Sequence, residues 1–231
     1  MSTSLATLET DLGYLLGCTI STTSRWTTTQ VDVYLNRAQK KVVDELIAAK
    51  CWKLLREIQK EAEYTLTGTT SYNVYTVIGS STDYYAFVGG KVDYHKLREV
   101  TIEDEDKIQA TGEYYPTGTD PWICFYGYDS TTNHGNLPVV KIRPSSLTGT
   151  LYFRYLKAPP TMQTTETAVA CCLPAMCENA ILFLTAAWCW SGDRNTTESS
   201  RYYQMYQKEI ADLIGKYEEP SWDGVDNRPV I

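Results

Sequence analysis

The apolar residues of this chain change their spacing twice. They recur every three or four residues near the start, every two through the middle, and every three or four again toward the end. The first spacing lines one face of a helix, and the second lines one face of a strand. This order predicts an α+β fold: an antiparallel helical bundle made from N- and C-terminal arms, carrying an inserted antiparallel β-rich subdomain. The expected divisions are an N-terminal helical arm at 1–62, a β-rich insertion at 63–160, a C-terminal helical arm at 161–217 and an extended docking tail at 218–231.

The boundaries follow from single residues. Leu5, Leu8, Leu12 and Leu15 share a helix face, with Ser4 as an N-cap and Gly17 as a left-handed stop. Thr29 and Asp32 resemble a capping box for a second helix over 30–50, carried by Val31, Leu35, Ala38, Val42, Leu46 and Ala49. Trp52, Leu54, Leu55 and Ile58 extend the apolar content beyond Cys51. From Glu63 the period shortens. Tyr64 with Leu66, and Tyr72 with Val74 and Thr76, alternate as strands do. Further strands are expected at 84–88, 97–103, 122–128, 139–143 and 151–155, with Val100 and Ile102 on one face of the second of these. Pro116, Pro121, Pro138 and Pro144 fall between runs, where no ladder hydrogen bond is lost. Leu173-Pro174 restarts helix, and Cys177, Ala180, Leu184 and Ala187 mark its face up to Gly192. Asn195 with Glu198 caps a last helix striped by Tyr203, Tyr206, Ile210, Leu213 and Tyr217.

Charge and cysteine usage narrow the function classes. A net charge of −7 over 231 residues lacks the basic footprint of a dedicated nucleic-acid binder. A chain of this size buries about 70% of its unfolded surface, so its core needs no disulfide or metal. The seven cysteines sit mostly in apolar company, as free thiols in a reducing cytosol do. The start of the chain has no secretory pattern, and the longest apolar stretch, 180–190, is too short to span a bilayer. A soluble protein made in the cytosol is expected.

Candidate chemistry is sparse. Cys171, Cys172, Cys177 and Cys189 lack the two short paired spacings of a zinc site. His95 lies in a charged stretch and His134 in a Gly/Asn turn, and neither has a nucleophile in a recognisable elbow. Glu103, Asp104, Glu105 and Asp106 read as an acidic turn without the ligand order of a calcium loop. No catalytic residue, metal site or cofactor is expected. Eighteen tyrosines remain to be explained. They suit a sheet face, a subunit interface or an aromatic platform for carbohydrate. The tail carries Trp222 between Pro220 and Pro229, a bulky anchor on an extended segment.

Three passages carry a resemblance. They are Tyr34-Leu35-Asn36-Arg37-Ala38-Gln39 with the later Cys51-Trp52-Lys53, the strands around Pro144 leading to Ala158-Pro159-Pro160, and Leu173-Pro174 with Asn179-Ala180-Ile181 and Gly192-Asp193-Arg194. In this order the chain resembles the head-to-tail connector adaptors of tailed bacteriophages, including the tail-tubular-protein-A-like group. The β insertion is larger than in the mainly helical adaptors. The resemblance implies a virion protein without an active site. It implies a homo-oligomeric ring, a dodecamer, below the portal protein, with tail or neck proteins as further partners, transient non-specific passage of DNA and no membrane. The expected surfaces are Trp222, Asp223 and Arg228 for portal docking, Tyr203, Tyr206 and Ile210 for the ring interface, and Glu103, Asp104, Glu105 and Asp106 facing the channel or the tail. The alternative reading is a monomeric β-rich module that binds carbohydrate or another surface.

Overall fold

The structure is a computed structural model that describes residues 3–69, 71–80, 83–105, 116–128, 137–163 and 170–217. In chain order the elements are α1 (Leu5–Leu16), α2 (Thr28–Ala48), a 3-10 segment (Trp52–Ile58), β1 (Gln59–Thr67), β2 (Ser71–Asn73), α3 (Val74–Ile78), β3 (Tyr84–Val92), β4 (His95–Lys96) and β5 (Arg98–Val100). There follow α4 (residues 102–105), β6 (Trp122–Tyr128), β7 (Pro138–Arg143), β8 (Thr148–Lys157), a 3-10 turn (Ala175–Cys177), α5 (Glu178–Gly192) and α6 (Thr196–Tyr217). The fold class is α+β. The chain forms two compact units, one of residues 1–57 with 159–231 and one of residues 58–158.

The first unit is helical, and its ends are set by local chemistry. Ser4 caps α1 by accepting from the Thr7 N–H, and Gly17 closes it at φ 69°. The start of α2 differs from the sequence expectation. Thr27, not Thr29, is the cap: its hydroxyl accepts from the Gln30 N–H while the Gln30 side chain accepts from the Thr27 N–H. This reciprocal pair satisfies two helix-end donors at once, which fixes the start at Thr28. Asn195 caps α6 by accepting from the Glu198 N–H at 3.2 Å. α5 packs against α1, α2 and α6. It buries Ile181, Leu182 and Ala186 as well as Ala180, Leu184 and Ala187, so its apolar surface runs around the helix. A helix of that kind belongs at the centre of its unit.

Two amides on α2 hold the chain where it re-enters this unit. Gln39 is buried; its Nε2 donates to the Pro160 carbonyl at 2.9 Å and its Oε1 accepts from the Cys172 N–H at 2.9 Å. One turn earlier, Asn36 accepts from the Met162 N–H at 2.6 Å and donates to the Met162 carbonyl at 3.3 Å. Pro160, Met162 and Cys172 lie outside the named helices and strands, and the two side chains satisfy their backbone groups instead. Elsewhere the Tyr202 hydroxyl donates to the Leu15 carbonyl at 2.7 Å and the Trp26 indole to the Cys189 carbonyl at 3.2 Å.

The second unit contains two four-stranded sheets among the described residues, in the orders β1-β8-β3-β4 and β2-β7-β6-β5. Their inner faces share one core. Leu66, Val92, Leu151 and Phe153 come from the first sheet, and Tyr72, Ile123, Val140 and Ile142 from the second. β1 starts at Gln59, earlier than the change of period at Glu63, because β8 pairs with it from Gln59 to Thr67.

Three expectations fail in this unit. The alternation of Tyr72, Val74 and Thr76 does not continue as strand. Asn73 accepts from the Tyr75 N–H at 2.7 Å, and Val74–Ile78 turns into the short helix α3, closed by Gly79 at φ 70°. The strand expected over 97–103 ends at Val100. Finally, the sheets are not wholly antiparallel, since β5 runs parallel to β6. The connection between them contains α4, and a parallel pair needs such a crossover of a dozen or more residues.

Replacing Gln39 by Ala strands two buried backbone groups. We expect the variant to lose about 2–3 kcal/mol of stability in denaturant unfolding. A change within a few tenths of a kcal/mol would show that the clamp carries no weight.

Candidate assembly surfaces

Among the described residues, no group of three or more His, Cys, Asp or Glu side chains is placed to hold a metal ion. Cys171, Cys172, Cys177 and Cys189 are buried and free. Burial is the main cause that pushes Cys171 up to about 11 and the other three up to about 12. They remain protonated at neutral pH, and a protonated thiol is a poor nucleophile or ligand. His95 lies in β4 opposite Val92 and is half-buried. His134 lies outside the described residues.

The stripe on α6 is turned inward. Tyr202, Tyr206, Ile210 and Leu213 are buried, whereas Tyr203 is 45% exposed. Tyr206 and Ile210, expected at a ring interface, therefore belong to the subunit's own core. The three-four spacing identified the packed face but not what packs on it. Of the three expected interface residues, Tyr203 is the one left at the surface; its ring lies 5.9 Å from that of Tyr206.

The acidic run is also corrected. Residues 102–105 are helical, not a turn between strands. Thr101 caps this helix: its hydroxyl accepts from the Asp104 N–H and donates to Asp104 Oδ2 at 2.7 Å. Carboxylates are favoured at such a helix start. Glu103 and Asp104 are exposed, but Glu105 is 3% exposed and points inward. Its Oε1 accepts from Arg143 Nε at 3.2 Å and Arg143 Nη2 at 3.1 Å, and its Oε2 lies 3.9 Å from Lys141 Nζ. The Lys141 ammonium in turn lies 3.3 Å from the centre of the Tyr126 ring. Glu105 thus anchors α4 to the basic residues of β7. The signal for it was present in the sequence, since Lys141 and Arg143 alternate with core residues Val140 and Ile142, but their acid partner was set by tertiary structure. Asp106, Trp222, Asp223 and Arg228 lie outside the described residues.

Five tyrosines of the β unit serve its interior. Tyr72 and Tyr155 are in the core, with Tyr64, Tyr75 and Tyr84 packed against it. Tyr94 is an exception, 95% exposed at the turn between β3 and β4. That turn is firmly held. Asp93 adopts φ 50°, its N–H donates to the Thr150 carbonyl, and its Oδ1 accepts from the Thr150 N–H, both at 2.8 Å. Gly149 makes room for the carboxylate; a Cβ there would lie 2.4 Å from Asp93 Oδ2.

The first sheet has a polar outer face. Alternation with the core residues Leu66, Leu151, Phe153, Val92 and Leu97 assigns Glu61, Glu63, Tyr152, Arg154, Lys91 and Lys96 to it. One row crosses all its strands as Glu63, Tyr152, Lys91 and Lys96. The Lys91 ammonium sits 4.3 Å from the centre of the Tyr152 ring, and Arg154 Nε donates to Glu61 Oε2 at 2.6 Å. This row was not legible in the sequence, because it depends on the register of four strands.

A family model described as SU10 adaptor protein matches residues 3–229. The chain belongs to the SU10 adaptor protein family. It is a phage structural adaptor, and the family is not a family of enzymes. The resemblance to phage adaptors seen in the sequence agrees with this match. No curated protein matches the chain. No helix among the described residues of this SU10 adaptor is long and apolar enough to cross a membrane.

Two outcomes follow. Glu105→Ala leaves Arg143 and Lys141 without their carboxylate, and thermal or urea unfolding is expected to show a loss of about 2–4 kcal/mol. A neutral result would remove Glu105 as an anchor. In the helical unit, Glu9 of α1 is raised from 4.5 to about 7 by burial, then by its hydrogen bond to Asp32 of α2 and by that residue's charge. A carboxyl raised on folding contributes stability that is complete below its unfolded pKa and lost as pH rises through the folded one. The protein is therefore expected to weaken between pH 4.5 and about 7 from this group, and Glu9→Gln to flatten that slope and raise the melting temperature at pH 8. Parallel pH profiles for the two proteins would rule this out.

Proposed function

We propose that this protein is a virion adaptor that assembles as a ring between portal and tail. The ring, a dodecamer in this reading, extends the DNA channel and offers a docking surface to tail or neck components. Family membership over residues 3–229 is the observation that carries the proposal. The subunit works at the head–tail junction after synthesis in the host bacterial cytoplasm. A net charge of −7 favours this role, because a conduit must let DNA pass without holding its phosphates. The tail residues Trp222, Asp223 and Arg228 engage the portal, Tyr203 contributes to subunit contacts, and Glu103 with Asp104 faces the channel or the tail.

A carbohydrate-binding module has less support. Such modules need exposed rings side by side. Here Tyr14, Tyr94, Tyr128 and Tyr203 are exposed on separate elements, α1, the β3–β4 turn, β6 and α6.

The test uses phage particles that lack the protein but retain their portal. Adding the purified full chain is expected to give ring-shaped density at the portal vertex in electron micrographs. Particles that stay bare, together with absence of the protein from complete virions, would refute the proposal.

A further inference from the structure

Helix α1 is seated among carboxyl groups. It carries Glu9 and Asp11 and no basic residue. Against Glu9 stands Asp32 of α2, and near Asp11 lies Glu178 of α5. The Thr3 hydroxyl, just ahead of the helix, donates to Glu178 Oε1. From α6 the Tyr202 hydroxyl reaches the Leu15 carbonyl. No ion pair among the described residues involves α1, and no basic side chain offsets the acids around Glu9 or Glu178.

Glu9 Oε1 and Asp32 Oδ1 are both buried, and neither has a donor among the described residues. An ionised carboxylate only accepts, so two of them in contact cannot bond each other. One proton shared between the two supplies the missing donor. Burial, then this contact and the charge of Asp32, raise Glu9 from 4.5 to about 7.

The other ties of α1 are apolar or single. Leu5, Leu8, Leu12 and Leu16 are buried, and the Thr3 carbonyl accepts from the Cys171 N–H at 2.9 Å. Gly17 closes the helix at φ 69°. The linker that follows is tied to α5 at Arg25 and Trp26, by the Asp193 carboxylate and the Cys189 carbonyl, which leaves residues 18–24 between.

We propose that α1 is a proton-gated latch: it opens from α2 and α5 on the 18–24 linker before the rest of the helical unit unfolds, and the proton shared by Glu9 and Asp32 holds it shut. Opening bares the leucine stripe and the surface of α2 and α5 beneath it. The latch goes beyond the ring reading and does not depend on it.

Hydrogen exchange of the full-length protein tests it, read by mass spectrometry from pH 5.5 to 7.5 and corrected for the intrinsic rate at each pH. Amides of α1 are expected to exchange ahead of those of α6. A carboxyl raised on closing loses its hold as pH rises through its closed-state pKa, so the opening constant of α1 rises with pH. The values 4.5 and about 7 set a ceiling of about twentyfold over this range. Glu9 is half-buried and solvent screening lowers that figure, so a rise of at least about fivefold is expected. Glu9→Gln, whose amide donates to Asp32 at any pH, is expected to keep α1 closed and remove the rise, and Asp32→Asn to do the same from the other side. Exchange of α1 in step with α6 at every pH would overturn the latch, since only global unfolding would then be at work. A pH-independent opening constant in the unaltered protein, or a rise that persists in both variants, would overturn it too. So would protection of α1 at pH 7.5 that requires added magnesium, which would put a cation rather than a proton between the two carboxylates.

Discussion

The buried amide of Gln39 is the constraint on which the helical unit turns. The chain leaves this unit after residue 57 and returns at 159, so the two stretches must find each other across a long excursion. Apolar packing alone is indifferent to small slides of one segment along another. A buried amide is not, because its donor and acceptor each need one partner at one place. Gln39 selects Pro160 and Cys172, and Asn36 selects Met162 a turn away. With those positions set, α5 enters with its whole circumference available to α1, α2 and α6.

The β unit relies on a different device. Its two sheets share an apolar core, but their outer faces are treated unequally. The second sheet has α4 fixed over Arg143 and Lys141 by the buried carboxylate of Glu105. The first sheet keeps an exposed outer face with acid at one edge and base at the other. A protein that acts by assembly needs such a division, since surface consumed within the subunit is lost to partners. The same economy applies to the tyrosines: Tyr72 and Tyr155 belong to the core while Tyr94 is held in solvent.

These features belong to a chain of the SU10 adaptor protein family. Its buried cysteines fill space in the helical unit, and burial pushes Cys172 and Cys177 up to about 12. Glu9 beside Asp32 and Glu178 near Asp11 are carboxyls of the helical unit that burial, and then a neighbouring acid, push up from the ordinary carboxylate range.

The sequence by itself determined which stretches are helix or strand wherever a long period ran undisturbed, as in α1, α2, α6 and β8. It also determined the caps at Ser4, Gly17 and Asn195, because those depend on neighbours within one turn. It misplaced the cap of α2 by two residues, where the three consecutive threonines Thr27, Thr28 and Thr29 offered the same chemistry. It misread 74–78 and 102–105, where a local side-chain cap ended a strand that alternation alone would have continued. Only tertiary structure decided which apolar stripe is core and which carboxylate is buried. Tyr206 and Tyr203 are alike in sequence terms, as are Glu105 and Glu103, and each pair is separated by what packs on one member and not on the other. Periodicity is a property of one segment, whereas burial belongs to two.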